Sequence, residues 1–166
     1  MKEKIVILGG SGFLGQSLQK ILSLKKIRFE SLNSKNCNLL KKNSFNILKK
    51  NIQNNDIIIF VSAIAPCKNF NDLQKNLLML KPLIDLSKTI NFGQIIYVSS
   101  DAVYKDSMKK IHENSKVKPS SIHGIMHHFR ESILNFFFNE KLAIVRPTLI
   151  YGPNDTHNGY GPNYFA

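Results

Sequence analysis

Three glycines near the start of the chain have the spacing of a phosphate-binding turn. Gly9, Gly12 and Gly15 follow the apolar run Ile5–Leu8, and an amphipathic segment continues after them. A buried strand, a glycine-rich turn and a helix in this order are typical of a dinucleotide site. Gly9 permits a tight turn, Gly12 lets the main chain approach a pyrophosphate, and Gly15 lets the helix pack closely on the strand. The amide groups and the dipole at the start of that helix favour a phosphate.

A second group that could do chemistry is the histidine pair His123 and His127. They are four residues apart, so in a helix they share one face. An imidazole with a pKa of about 6.5 accepts a proton at neutral pH, and two adjacent imidazoles disfavour each other's protonation. A metal site is an alternative, but it needs a third ligand such as His112, His157 or Asp155, which the sequence does not place.

Alternating apolar runs and helical patterns must position these residues. We predict strands at residues 4–8, 27–32, 56–61, 94–99 and 142–146. We predict helices at residues 12–24, 44–51, 72–89 and 121–139. Short, continuously apolar strands between helices indicate an α/β fold, a Rossmann-type doubly wound parallel sheet flanked by helices. Ligands on such sheets bind beyond the carboxyl ends of the strands, so each strand exit is a candidate site.

Length and composition limit the class of protein. At 166 residues we predict one domain with a substantial core, and 43% of the residues are hydrophobic. No stretch reaches the roughly 18 apolar residues of a membrane span, and the start of the chain lacks the layout of a signal peptide. Cys37 and Cys67 have no metal-binding spacing, so we expect a reduced, cytoplasmic protein without a membrane partner.

The formal net charge of +12 suggests nucleic-acid binding as a hypothesis. The lysines, however, are spread from Lys2 to Lys141, and only three arginines are present. This spread is typical of a compositional bias along the whole chain. We therefore predict no nucleic-acid partner and expect the charge to attract anionic cofactors and phosphorylated substrates.

Further motifs occur in the order found in one protein family. The third predicted strand leads into Ser62 and Ala63, and Asn76 lies in the following helix. Residues 97–104 read YVSSDAVY, and residues 146–153 read RPTLIYGP. Together with the glycine turn, these motifs resemble the extended short-chain dehydrogenase/reductases, specifically the NAD-dependent epimerase/dehydratase group acting on nucleotide sugars. The resemblance covers nearly the whole chain.

The resemblance implies a NAD(P) cofactor and indicates where it binds. In the family, an acidic residue after the second strand holds the adenosine ribose, and Asn33 stands there, followed by Ser34 and Lys35. An amide does not repel a 2′-phosphate and Lys35 could pair with one, so NADP is favoured over NAD. We expect cofactor contacts from Gly9, Gly12, Phe13, Leu14, Gly15, Asn33, Lys35, Asn38, Leu39, Ser62, Ala63, Ile64, Asn76, Pro147 and Leu149.

The resemblance also implies catalytic residues, two of which depart from the family pattern. In the family, a Tyr is the general base, a Lys four residues later lowers its pKa, and a Ser or Thr hydrogen-bonds the reacting oxygen. Ser100 matches the Ser/Thr position, whereas His123 stands at the Tyr position and His127 at the Lys position. One hypothesis is an altered acid/base pair that serves hydride transfer between nicotinamide and a sugar hydroxyl or keto group. The alternative is a degenerate site in a non-catalytic dinucleotide-binding sensor or scaffold.

The resemblance divides the chain into two parts. Residues 1–150 are predicted to form the NAD(P)-binding Rossmann domain, and residues 151–166 a loop-like tail that begins a truncated substrate region. Family members continue into a smaller C-terminal region that holds the sugar nucleotide, and we expect that region to be missing from this chain. The expected partners are a small-molecule substrate, namely a nucleotide sugar, and a second copy of the chain in a homodimer.

Overall fold

A five-stranded parallel sheet flanked by helices forms the framework of the protein. The structure is a computed structural model that describes residues 3–105, 110–152 and 155. Its strands are β1 (Ile5–Leu8), β2 (Phe29–Leu32), β3 (Ile57–Phe60), β4 (Gln94–Val98) and β5 (Leu142–Val145). Its α-helices are α1 (Phe13–Leu24), α2 (Ser44–Asn51), α3 (Phe70–Leu78), α4 (Lys81–Ser87) and α5 (Ile122–Phe138).

The order of the strands sets the position of the ligand crevice. The strands run parallel in the order β2-β1-β3-β4-β5, and Ile5 of β1 lies opposite Phe29 on one side and Ile57 on the other. The chain moves from β1 to one neighbour, β2, and then crosses to β3 on the opposite side. Dinucleotides bind at such a reversal, outside the carboxyl ends of the strands. The predicted Rossmann-type, doubly wound α/β fold is confirmed.

The core lies against both faces of the sheet. Val6 and Ile7 are neighbours on β1 whose side chains point to opposite faces, and both are fully buried. Burial on both faces explains why the strands read as continuous apolar runs in the sequence. The main hydrophobic cluster joins strand residues to residues of α2, α4 and α5, namely Leu8, Ile58, Phe60, Ile95, Tyr97, Leu48, Leu83, Leu86 and Leu134.

The structure corrects one predicted helix. The segment predicted as a single helix at residues 72–89 forms two helices, with α3 ending at Leu78 and α4 beginning at Lys81. Pro82 lies in the first turn of α4. A proline lacks an amide hydrogen, and its ring collides with the carbonyl group four residues earlier, here that of Leu78. The other predicted helices and strands agree with the structure to within two residues at each end.

Three further expectations concern membrane spans, the cysteines and the tail at residues 151–166. None of the helices in the described ranges has the length and apolar character needed to cross a bilayer. Cys37 and Cys67 are buried free thiols, and burial raises the pKa of both. Of the predicted tail at residues 151–166, only Tyr151, Gly152 and Asp155 lie within the described residues.

Candidate functional site

The turn after β1 requires glycine at two positions. Gly9 has φ of +107°, a region that side chains disfavour, and a Cβ there would lie 2.7 Å from the amide nitrogen of Ser62. A Cβ at Gly15 would lie 2.3 Å from the carbonyl oxygen of Gly9. Gly9 therefore brings the turn against the exit of β3, and Gly15 brings α1 against the turn.

Gly12 and the start of α1 leave room and donors for an anion. A Cβ at Gly12 would meet only the Gly9 carbonyl oxygen, at 3.5 Å, so packing within the protein does not require glycine there. Gly12 occupies the N-cap position of α1, no side chain caps the helix, and its first turn contains no acidic residue. The amide groups at the start of a helix and its dipole bind phosphate. The turn thus fits a dinucleotide diphosphate.

A cleft of about 330 Å³ opens at this turn. It joins the turn to the exits of β2 and β3, as expected at the reversal of strand order. Seven predicted cofactor residues line it, namely Gly9, Gly12, Asn38, Leu39, Ser62, Ala63 and Ile64. Five residues that sequence reasoning missed also line it, namely Ser11, Ser34, Cys37, Val61 and Met79. The remaining predicted residues are absent from its described lining, namely Phe13, Leu14, Gly15, Asn33, Lys35, Asn76, Pro147 and Leu149.

The side chain of Asn33 holds its own loop at the exit of β2. Its Oδ1 accepts a hydrogen bond of 2.9 Å from the backbone amide of Lys35, and its backbone amide donates to Oδ1 of Asn36 at 2.7 Å. Ser34 consequently faces the cleft at the place where Asn33 was expected. The tendency of asparagine to bond to the backbone two residues ahead is the sequence signal that could have indicated this.

The side chain of Asn76 stabilises the loop after β3 through hydrogen bonds to its backbone. Its side chain is fully buried, its Oδ1 accepts from the amide of Ile64 at 2.9 Å, and its Nδ2 donates to the carbonyl oxygens of Ile64 and Asp72. All four bonding groups of a buried amide need partners, and three are engaged with the backbone here. Asn76 therefore fixes the shape of the cleft wall that includes Ile64.

Ser100 lies at the exit of β4 and caps a short 3-10 helix, Asp101–Val103. Its Oγ accepts a hydrogen bond of 3.1 Å from the amide of Ala102 and donates one of 3.3 Å to Oδ1 of Asp101. The hydroxyl is half-buried and lies outside the described lining of the cleft. Its observed contacts orient the loop after β4.

His127 is buried inside the protein against β4. Its Nδ1 lies 2.7 Å from the hydroxyl of Tyr97. Burial lowers the pKa of His127 to about 3, and the nearby His123 and Arg130 add to this shift. Burial likewise raises the pKa of Tyr97 to about 12. Both groups are neutral at pH 7, so the position at which the resemblance implies a lysine supplies no positive charge in this chain.

His123 is half-buried one turn before His127, and its ring meets that of His127 edge-on with 4.7 Å between centroids. Ser121 begins α5 by accepting a hydrogen bond from the amide of Gly124. The amide of Cys67 donates a hydrogen bond of 3.3 Å to Nδ1 of His123. Because Nδ1 accepts this bond, a neutral His123 ring carries its proton on Nε2. The predicted role as a proton acceptor therefore requires the bond from Cys67 to open.

Arg130, which sequence reasoning missed, lies one turn beyond His127 on α5. Its side chain is fully buried, and Nη2 donates a hydrogen bond of 2.9 Å to the carbonyl oxygen of Ser62. The guanidinium carbon lies 4.6 Å from the ring centroid of Phe60 and 5.1 Å from that of Tyr97. Arg130 follows two histidines and a phenylalanine, and nothing in this local sequence predicts that its side chain is buried.

A buried ionic network joins the exits of β4 and β5 to α5. Glu131 accepts two hydrogen bonds from Arg146, at 2.9 and 2.8 Å, and a third of 2.6 Å from the hydroxyl of Ser99. Arg146 also donates to the hydroxyl of Tyr104 at 2.6 Å. The hydrogen bond to Glu131 raises the pKa of Arg146 above its usual value, with the bond to Tyr104 adding to the shift. The network fixes α5, and hence His123 and His127, relative to the sheet.

The metal hypothesis has no support among the described residues. They contain no group of three or more His, Cys, Asp or Glu side chains that could hold a metal ion. His157, one of the three ligands considered, lies outside the described residues.

The sequence comparisons identify relatives for almost the entire chain. The model of the NAD dependent epimerase/dehydratase family matches residues 5–164. An uncharacterized UDP-glucose epimerase of Bacillus subtilis (strain 168) is 25% identical, over 90% of this chain and 57% of that protein. A dTDP-D-glucose 4,6-dehydratase of Dictyostelium discoideum is 26% identical, over 91% of this chain and 44% of that protein.

Solved structures show the same fold. A dTDP-4-dehydrorhamnose reductase from Clostridium acetobutylicum has a TM-score of 0.79 and 25% identity, covering 93% of this chain and 56% of that chain. A UDP-N-acetylglucosamine 4-epimerase from Bacillus cereus has a TM-score of 0.77 and 20% identity, covering 93% of this chain and 56% of that chain. The chain therefore spans about half the length of the relatives that it matches.

Proposed function

This chain belongs to the NAD dependent epimerase/dehydratase family, and from that membership we propose that its cleft binds a nicotinamide adenine dinucleotide. The observation that carries the proposal is the cleft that joins the turn at Gly9 and Gly12 to the exits of β2 and β3. The start of α1, which no side chain caps, supplies amide donors for the diphosphate. The adenosine belongs at the exit of β2 and the nicotinamide on the other side of β1.

NADP is the cofactor that the exit of β2 favours. Ser34 and Asn38 line the cleft there, and no carboxylate is among the described lining residues. A carboxylate at this place would bind a ribose with a free 2′-hydroxyl and repel a 2′-phosphate. Lys35 is exposed beside Ser34 and supplies a cation for that phosphate. Replacing Lys35 with Gln should weaken NADP binding and leave NAD binding nearly unchanged in calorimetric titrations.

The finer proposal is hydride transfer between the nicotinamide and a sugar hydroxyl or keto group. When bound, a nicotinamide would supply or accept the hydride. His123 takes the hydroxyl proton on Nδ1 once the hydrogen bond from the amide of Cys67 opens, and it returns that proton when a keto group is reduced. Ser100, at the exit of β4, steadies the same oxygen. His127 stays neutral and holds the ring of His123 in place by edge-on contact.

A second candidate is a dinucleotide-binding module without turnover. The observation that favours it is the state of the two histidines: His127 is buried and neutral, and Nδ1 of His123 accepts a hydrogen bond from Cys67. Neither residue supplies the fixed cation or the ready proton acceptor of the family. Such a module binds the cofactor as a sensor or scaffold.

Two measurements on the full chain separate these candidates. Calorimetry with NADP, NADPH, NAD and NADH tests binding, and absence of binding for all four overturns both candidates. Transfer of hydrogen label between the cofactor and an added nucleotide sugar tests hydride transfer, either from reduced cofactor to a keto sugar or from a hydroxyl sugar such as UDP-glucose to oxidised cofactor. Exchange that disappears in His123→Ala supports the enzyme. Tight binding without exchange supports the module, most strongly if the double variant His123→Tyr with His127→Lys gains exchange.

The nucleotide-sugar substrate and the homodimer are proposals about the whole protein, because this chain spans about half the length of its relatives. Exposed apolar side chains on α3 and α5 support pairing through these helices, namely Phe70, Leu78, Phe129, Phe136 and Phe137. Isolated exposed apolar residues are common, whereas a contiguous apolar patch across adjacent helices is typical of an interface. Sedimentation equilibrium tests the dimer, and Phe136→Asp should shift it toward the monomer.

A further inference from the structure

Arg130 is a buried cation that lacks a partner of opposite charge. Its side chain is fully buried, and Nη2 donates to the carbonyl oxygen of Ser62. Nε and Nη1 are buried without a hydrogen-bond partner. Among the residues that the structure describes, no acidic side chain forms an ion pair with it. A buried charge in this state destabilises the fold, so its presence calls for an explanation beyond packing.

The groups around Arg130 do not neutralise it. Tyr97 and His127 are uncharged at pH 7, because burial raises the pKa of the first to about 12 and lowers that of the second to about 3. The carboxylate of Glu131 is paired through both oxygens with Arg146. The faces of Phe60 and Tyr97 attract the guanidinium without cancelling its charge. Arginine keeps its proton even when buried.

This charge lies behind one half of the proposed dinucleotide site. Ser62, which accepts the hydrogen bond from Arg130, lines the cleft where β3 ends. The exit of β2, where the adenosine belongs, is on the opposite side of β1. The fixed positive charge is therefore behind the half that receives the nicotinamide.

We propose that Arg130 makes the cleft prefer the reduced nicotinamide over the oxidised one, an inference that rests on the dinucleotide binding proposed above. The oxidised ring carries a positive charge and the reduced ring is neutral. A fixed cation behind Ser62 repels the first and not the second, and burial in low dielectric strengthens this repulsion. The diphosphate and adenosine make the same contacts in both forms, so the effect lies in the ratio of the two dissociation constants.

The test measures both redox forms of one cofactor on the full chain. Cofactor fluorescence gives the dissociation constant of NADPH, and calorimetry gives that of NADP; the NADH and NAD pair is measured in the same way. We expect wild type to bind the reduced form about tenfold more tightly. That ratio corresponds to a rise of about 30 mV in the potential of the bound two-electron couple, because tighter binding of the reduced form makes the bound cofactor easier to reduce.

Three variants assign the preference to the charge of Arg130. Arg130→Met removes the charge and keeps the volume, and such replacements of buried ions are often neutral or stabilising. Its ratio should fall about tenfold, to near one. Arg130→Lys keeps the charge and should keep the preference. Lys35→Met removes a cation from the adenosine half, so it should weaken the binding of NADPH and NADP equally and leave the ratio of their dissociation constants unchanged.

Each outcome decides the inference. An unchanged ratio in Arg130→Met, or equal ratios in the Met and Lys variants, overturns it while dinucleotide binding stands. Oxidised cofactor binding as tightly as reduced cofactor to wild type also overturns it, and this result needs no variant to fold. Absence of binding for every dinucleotide overturns the proposed function as well and is thereby distinguished from the other failures.

Discussion

The glycine turn after β1 and the inner face of α5 are the two halves of the proposed site, and they are built in different ways. The turn consists of backbone: Gly9 and Gly15 remove side chains that would collide with the main chain, and Gly12 leaves the start of α1 open. The face of α5 consists of side chains, where His127 and Glu131 meet partners from other strands. The first half keeps the glycine spacing that the resemblance implies, whereas His123 and His127 stand where the resemblance implies a Tyr and a Lys.

This difference indicates which residues of the site can be substituted with little loss of folding stability. A main-chain cradle depends on a few glycines, and any Cβ at Gly9 or Gly15 disturbs the fold itself. A side-chain site tolerates exchange of one polar group for another as long as buried partners are satisfied. His127 has the hydroxyl of Tyr97 as such a partner. We therefore expect proposed cofactor binding to tolerate fewer substitutions at the turn, and the proposed chemistry at α5 to be the more variable property.

The largest effect is expected where the side-chain half is held to the sheet. Glu131→Gln removes the charge that accepts both bonds from Arg146 while keeping the shape, and it leaves a largely buried cation without its partner. We expect the free energy of unfolding to fall by about 3 kcal/mol. Urea denaturation at pH 7 measures it. The matched control is Asp85→Asn, which removes a partly exposed carboxylate from its pairs with the exposed Lys81 and Lys88 and should change little. Equal decreases in the free energy of unfolding in both variants would show that the buried network stabilises the fold no more than a surface ion pair does.

The two halves also differ in how far the sequence alone predicts them. The turn was predictable because glycine spacing acts through local backbone geometry, with strand and helix adjacent in the chain. The partners on α5 were not, because Tyr97 is 30 residues from His127 and the amide of Cys67 is 56 residues from His123. Such contacts depend on which loops the sheet brings together. Arg130 was missed for the same reason, since neither Phe60 nor Ser62 is near it in the chain.

The backbone half can be divided into a folding part and a binding part. Gly15→Ala places a Cβ 2.3 Å from the carbonyl oxygen of Gly9, so the helix must move. We expect the free energy of unfolding to fall by about 2 to 3 kcal/mol, as for overpacked sites. Gly12→Ala meets only one atom, at 3.5 Å, and should cost less than about 1 kcal/mol.

Cofactor titrations distinguish Gly12→Ala from Gly15→Ala more clearly than stability measurements do. Gly12→Ala should weaken dinucleotide binding although its stability is nearly that of wild type, because the methyl group enters the space for the diphosphate. Thermal unfolding with and without NADPH reports both properties in one experiment. If Gly12→Ala bound NADPH like wild type, the diphosphate would not lie against this turn. The glycine turn would then not be the cofactor-binding half of the proposed site.

A smaller effect should appear in the pH dependence of stability, because His127 is buried as a neutral ring. Its pKa falls from 6.5 to about 3 in the folded chain. Between these values the unfolded chain takes up a proton on this ring and the folded chain does not, so acid favours unfolding. His127 should therefore contribute a loss of up to about 2 kcal/mol between pH 7 and pH 5. His127→Asn keeps a hydrogen-bonding partner for Tyr97 and does not titrate, so its stability should fall less over this range. Parallel curves for the two proteins would show that His127 takes up its proton in the folded state, and the α5 half would then offer the positive charge that its burial now denies it.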